Sequence, residues 1–132
     1  MIIKPLYDNV KQVVVLSDSL SVPSKFEVDL NEAESKNKAA KGFRVLFLRY
    51  SEGLNLTYEM FHDAGEYNGQ QFHEFRKGRL RVYCVIDPDN GSVILLSHIQ
   101  MKSTRKTQTS DLIEAYSTLQ QYKDASSALE LK

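Results

Sequence analysis

An α+β domain built on a small, antiparallel-rich sheet of about four strands, packed by N-terminal helices and a C-terminal helix, is the architecture this sequence predicts. Three observations carry it. RLRVYCVID at 79–87 alternates with a period of two, and after the turn PDNG the run SVILLSHIQMK at 92–102 returns, which is a hairpin pattern. Apolar residues recur at helical spacing in FRVLFLRY at 43–50 and again between Leu112 and Tyr122. A chain of 132 residues that is 42% apolar suffices for one packed core, so residues 1–132 are read as a single domain.

The first strand is QVVVL at 12–16, bounded by Asn9 and by Ser17-Asp18-Ser19. Residues 24–41 are charged and contain alanine, which predicts an exposed helix whose acidic first part suits the helix dipole; Gly42 interrupts it or divides it in two. Phe43, Leu46, Phe47 and Tyr50 then share a helical face, and Gly53 caps that helix. Residues 54–71, with Gly65 and Gly69, read as a loop with a short helical turn at 58–63. QQFHEFR at 70–76 is the next strand, and Lys77-Gly78 turns the chain into 79–87. On that strand Leu80, Val82, Cys84 and Ile86 face one way, and Arg79, Arg81, Tyr83 and Val85 the other. On the returning strand Ile94, Leu96, His98, Gln100 and Lys102 are expected to share a face. Ser110 and Asp111 open the last helix, whose apolar stripe is Leu112, Ala115, Tyr116, Leu119 and Tyr122. The sequence has no internal repeat and no glycine-rich phosphate loop.

A formal net charge of zero hides an uneven distribution. Arg76, Lys77, Arg79, Arg81, Lys102, Arg105 and Lys106 stand against only Asp87 and Asp89 in that window, while Glu27, Asp29, Glu32 and Glu34 cluster elsewhere. A local basic field on a neutral protein suits a polyanion held at one face; the plain alternative is an edge hairpin whose cations oppose aggregation. Apolar runs such as 13–16 and 93–96 are short, and none exceeds five residues, far short of the roughly 20 needed to cross a bilayer. MIIKPLYDNV lacks the apolar core of a signal peptide, and the single Cys84 leaves no intramolecular disulfide, so a cytoplasmic protein without a membrane partner is expected. His62, His73 and His98 lie at no ligand-like spacing, and neither a metal nor a cofactor is expected.

FHEFRKGRLRVYCVIDPDNGSVILLSHIQMKSTRKTQTSDLIEAYSTL resembles the RelE/HigB-like toxins of bacterial type II toxin-antitoxin pairs, in the RelE/ParE superfamily. The features that match are His73-Glu74-Phe75-Arg76, Arg81-Val82-Tyr83, the strand from Ser92 to Ile99, the basic segment from Met101 to Lys106, and Ala115. Residues 66–122 carry the likeness, and before them only the order of elements does. The chain departs from the family at Met101, where a second lysine is usual, and at Thr107 or Gln108, where proline is usual; His98 lies one position beyond the family's histidine or asparagine. The resemblance implies a RelE-like fold and a toxin that cleaves mRNA, most often on the ribosome. It also implies a cognate antitoxin that covers the basic groove or rearranges the last helix, with DNA contacted only through that complex.

A metal-free ribonuclease needs a base at the RNA 2′-OH, cations for the extra phosphoryl charge and an acid for the departing 5′-oxygen. Arg76 and Arg81 are the candidates for phosphate contact and transition-state stabilisation, since a guanidinium fork holds two phosphate oxygens at once. Tyr83 and His98 are the candidates for proton transfer, with Glu74 a third, and Arg79, Lys102, Arg105 and Lys106 would line the RNA backbone. Tyr67, Phe72 and Tyr83 are considered for base stacking. Each has a plain structural counterpart. Arg76 pairs with Glu74 on its own strand, Arg79 and Arg81 face solvent, His98 and Tyr83 pack, the lysines are solvated loop charges, and Cys84 is a small core residue. A second functional reading is a non-nuclease of the same superfamily that binds a protein target, as ParE-like relatives inhibit gyrase; the absent lysine and neutral charge favour it. A third is an interaction module presenting an edge strand.

Overall fold

In the computed structural model, which describes residues 1–102 and 108–130 with side chains up to residue 128, these patterns form six strands and three helices. They are β1 (Ile2–Asp8), β2 (Gln12–Ser17), α1 (Lys25–Lys36), a 3-10 turn (Lys38–Lys41), α2 (Gly42–Ser51), β3 (Phe61–Tyr67), β4 (Gln70–Lys77), β5 (Leu80–Ile86), β6 (Val93–Met101) and α3 (Thr109–Glu130). The strands form one sheet in the order β1-β2-β6-β5-β4-β3. Every neighbouring pair is antiparallel except β2 with β6, which run parallel through Gln12 to Val14 against Val93 to Leu95.

The expected RelE-like sheet of about four antiparallel-rich strands is therefore overturned: the sheet is mixed and has six. Two strands went unrecognised in the sequence. β1 contains Pro5, which cannot donate to a ladder, and its register slips between Pro5 and Tyr7; an edge position tolerates both. β3 lies in the stretch read as a loop. Asn68 and Gly69, at φ 50° and 76°, form the two-residue turn between β3 and β4, and Gly65, at φ 127°, sits where the β3 register slips.

α1 begins with a capping box. The Ser24 hydroxyl accepts from the Glu27 N–H at 3.1 Å, and the Ser24 N–H donates to the Glu27 carboxylate at 2.7 Å. Lys4 reaches the same carboxylate at 2.8 Å, so one side chain starts the helix and ties it to β1. α2 ends as its glycine suggested. Gly53 has φ 79°, its N–H donates to the Tyr50 carbonyl and that of Leu54 to the Arg49 carbonyl, which is a Schellman closure.

The sheet has a core on each face. α1, the 3-10 turn and α2 pack on one, with Phe26, Leu30, Phe43 and Phe47 against Val13, Phe75 and Val82. Phe47 meets Phe75 edge-on at 5.0 Å between centroids and Phe43 in a stack at 6.0 Å. α3 covers the other face with Ala115, Leu119 and Tyr122 against Phe72, Tyr83, Val85 and Leu95. The expected alternation of β5 holds, but that of β6 does not. Cys84 pairs with Leu96 and Tyr83 with His98, so Ser97 is an extra residue. Ile94 and Leu96 thus face α2, whereas His98 faces α3. Cys84 is a core residue whose thiol donates to the His73 carbonyl, and burial pushes its pKa well up. No helix among the described residues is long and apolar enough to cross a membrane.

Glu27 links pH to stability. Burial acts to raise its pKa, but the Lys4 ammonium and the Ser24 amide and hydroxyl outweigh it and hold the carboxyl below its ordinary value. The folded state thus binds this proton less tightly than the unfolded chain, so the stabilisation is complete above the unfolded value of about 4.3 and is lost as pH falls through the folded one. Glu27→Gln is expected to cost about 1 kcal/mol at pH 7 and much less near pH 2, measured by urea unfolding of both proteins across that range.

Candidate functional site

Cross-strand register gathers the chemistry on the α3 side. His62 of β3 is opposite Glu74 of β4, Glu74 is opposite Tyr83 of β5, and Tyr83 is opposite His98 of β6. The adjacent row holds Arg76 opposite Arg81, and Arg81 opposite Gln100. Asp111 reaches this face from the first turn of α3, and Lys102 from just beyond β6. Residues far apart in sequence become neighbours because strand side chains repeat every second position.

Glu74 is the centre of the first half. It is 2% exposed, with His62 Nε2 at 2.6 Å, an Arg76 Nη at 3.7 Å and Arg81 Nε at 3.9 Å from the same carboxylate oxygen. His62 Nδ1 lies 2.8 Å from the Tyr58 carbonyl, which can only accept, so this nitrogen carries a proton. Nε2 then faces the Glu74 carboxylate at 2.6 Å. Arg81 also donates through Nη1 to the carbonyls of Gly78 and Leu80, at 2.8 and 3.0 Å, which fastens it to its own hairpin. Burial and the charge of Arg76 push its guanidinium below its ordinary value, with Glu74 opposing them. Arg76 is more open, its side chain 24% exposed, and its buried Nε has no hydrogen-bond partner among the described residues.

His98 and Asp111 form the second half. Asp111 pairs with Lys102 and lies 3.4 Å from His98 Nε2. His98 Nδ1 is 2.8 Å from the Ser97 hydroxyl and 3.4 Å from the Glu114 carboxylate. Tyr83, fully buried, joins the halves: its ring stacks on His98 at 5.0 Å, and Lys102 Nζ lies 5.4 Å from its centroid.

Of the residues proposed from sequence, Arg76, Arg81, Tyr83, His98 and Lys102 meet on this face. Arg79 is exposed in the turn before β5, where its carbonyl accepts the Lys102 N–H. Arg105 and Lys106 lie outside the described residues. The expectation that Arg79 and Arg81 face solvent fails for Arg81, which is 5% exposed. Arg76 does approach Glu74, as its plain reading had it. The stacking candidates are occupied in packing: Phe72 and Tyr83 are buried, and Tyr67 meets Tyr116 edge-on at 5.4 Å. Sequence reasoning gave His62 no role and used Asp111 only as a helix start. The Asn68-Gly69 turn was the available signal for His62, because it implies a strand before it and fixes the register with β4.

These groups can hold an anion and move a proton, with two guanidiniums, an ammonium and two histidine-carboxylate pairs within one face. Glu74→Ala leaves Arg81 and His62 buried without their counter-charge, and is expected to lower the unfolding free energy by about 3 kcal/mol in urea titration. Glu74→Gln should cost less, since an amide oxygen still accepts. A loss below about 0.5 kcal/mol for the alanine variant would show that water already compensates the cluster. Neither family models, nor curated proteins, nor solved structures give a match to this chain, so what the site does is argued from its own residues.

Proposed function

We propose that the chain is a metal-independent endoribonuclease, the toxin of a toxin-antitoxin pair, acting in the cytoplasm on mRNA, on the ribosome, and restrained by its cognate antitoxin. The observation that carries the proposal is the meeting of Arg76, Arg81, Lys102, Tyr83 and His98 on one sheet face with a buried carboxylate among them. The reading keeps the chemistry implied by the sequence resemblance and sets aside the RelE-like architecture.

The chemistry divides across Tyr83. Glu74 and His98 sit on the strands either side of it, which keeps the base and the acid of a displacement at phosphorus on separate strands. Glu74, oriented by His62, takes the proton of the 2′-OH; the 2′-oxygen bonds to phosphorus, the bond to the 5′-oxygen breaks, and His98 protonates that oxygen. A 2′,3′-cyclic phosphate and a 5′-OH are the products. Arg76 and Arg81 meet the charge that develops on the phosphoryl oxygens, and Lys102 adds to their field. RNA approaches past Arg76, the most open group of the cluster.

Burial favours a second reading. Glu74, Arg81, His98 and Lys102 are each less than a tenth exposed, as in a network that fixes a sheet face, and a non-nuclease that binds a protein target needs no access to them.

Induction of the wild type beside Arg76→Ala and Arg81→Ala, with primer-extension mapping of transcripts, separates the two. Discrete cuts that fall by about 100-fold or more in the variants support the nuclease. Growth arrest with intact transcripts moves the function to a protein target, and an absence of any effect removes both readings.

A further inference from the structure

The loop before β3 exposes an aromatic ring next to this site. Tyr58 is 74% exposed, yet it is not loose: its ring stacks on that of His62 at 4.7 Å and 23°, and its carbonyl holds His62 Nδ1 at 2.8 Å. Hydrogen bonds from the Met60 and Phe61 N–H groups to the Thr57 carbonyl close the turn that carries it. One face of the ring is therefore fixed against the site and the other faces solvent. The contacts continue inward from His62 to Glu74 at 2.6 Å and from Glu74 to Arg76 at 3.7 Å, ending at a guanidinium whose buried Nε has no partner among the described residues. A planar π-surface in solvent and a partly exposed guanidinium, linked through one chain of contacts, offer a stacking face and a phosphate partner to the same single strand.

We infer that Tyr58 is a nucleobase platform, on which an unpaired base of single-stranded RNA stacks while its phosphate meets Arg76. The inference rests on the ribonuclease reading for its substrate, but it is a statement about binding. Because His62 holds the ring in place before the ligand arrives, little ordering entropy is lost on stacking. Stacking recognises the π-face rather than base edges, so the subsite favours a base over none with little choice among bases.

The test uses the full chain and fluorescently labelled 2′-O-methyl RNA hexamers, which lack the nucleophilic hydroxyl and stay intact, beside hexamers abasic at successive positions. Fluorescence anisotropy is expected to show the wild type losing roughly tenfold in affinity when one base is removed. Tyr58→Ala should abolish that preference, while Tyr58→Phe and Tyr58→Trp keep it; thermal melting checks that each variant is folded. Equal binding of complete and abasic hexamers by the wild type, or a preference that survives in Tyr58→Ala, overturns the platform, as does an absence of binding. Base-dependent binding by a wild type whose induction leaves transcripts intact overturns the ribonuclease reading and leaves the platform standing.

Discussion

A carboxylate buried as deeply as Glu74 has to be neutralised where it sits, and that requirement organises the α3 face of the sheet. Ionised and alone, it would carry a desolvation penalty of many kcal/mol. The surrounding residues supply the remedy in three forms: a histidine at hydrogen-bond distance, an arginine bound to its own hairpin, and a second arginine nearer solvent. Each comes from a register fixed by a tight turn, Asn68-Gly69 for His62 and the Gly78 turn for Arg81. Asp111 poses the same problem on the far side of Tyr83, answered by Lys102 and His98. Tyr83 between them offers a polarisable ring to both.

The charge pattern of the sequence looks different once folded. The basic window from 76 to 106 is an excess along the chain, but Glu74 lies two residues before it and Asp111 five beyond it, and both turn inward onto its cations. Lys4 with Glu27 and Arg44 with Glu34 are matched in the same way across other elements. Among the described residues, Arg76, Arg81 and Lys102 of that window are thus matched by carboxylates, unlike the cations of a protein that coats nucleic acid by charge alone.

Where local pattern and tertiary demand agreed, the fold was legible. The alternation of 79–87 and the stripe of 43–50 became β5 and α2 because each has one buried face per period. β1 and β3 were not seen. A proline and a bulge obscure the first, and Gly65 with its own bulge breaks the alternation of the second, so neither shows a clean period of two. The same physics limited the reading of the site. The extra Ser97 reversed the second half of β6, a change with no composition signal, and it is this reversal that brings His98 to Asp111. Arg76, Arg81 and Lys102 were found by type and position on a hairpin, whereas His62 required a strand that had been read as a loop.

The parallel seam between β2 and β6 also orders the assembly of the sheet. Val13 meets Ile94 across a loop of about 80 residues, while β3 to β6 are joined by turns of a few residues each. By closure entropy alone, forming that seam costs about 2 kcal/mol more than closing a hairpin of about eight residues. The meander that carries Glu74, Arg76, Arg81, Tyr83 and His98 can thus pair by local contacts, and the β1-β2 hairpin docks onto an edge that already exists. The polar face belongs to the short-range part of the sheet, and the strand pair that makes the sheet mixed belongs to the long-range part.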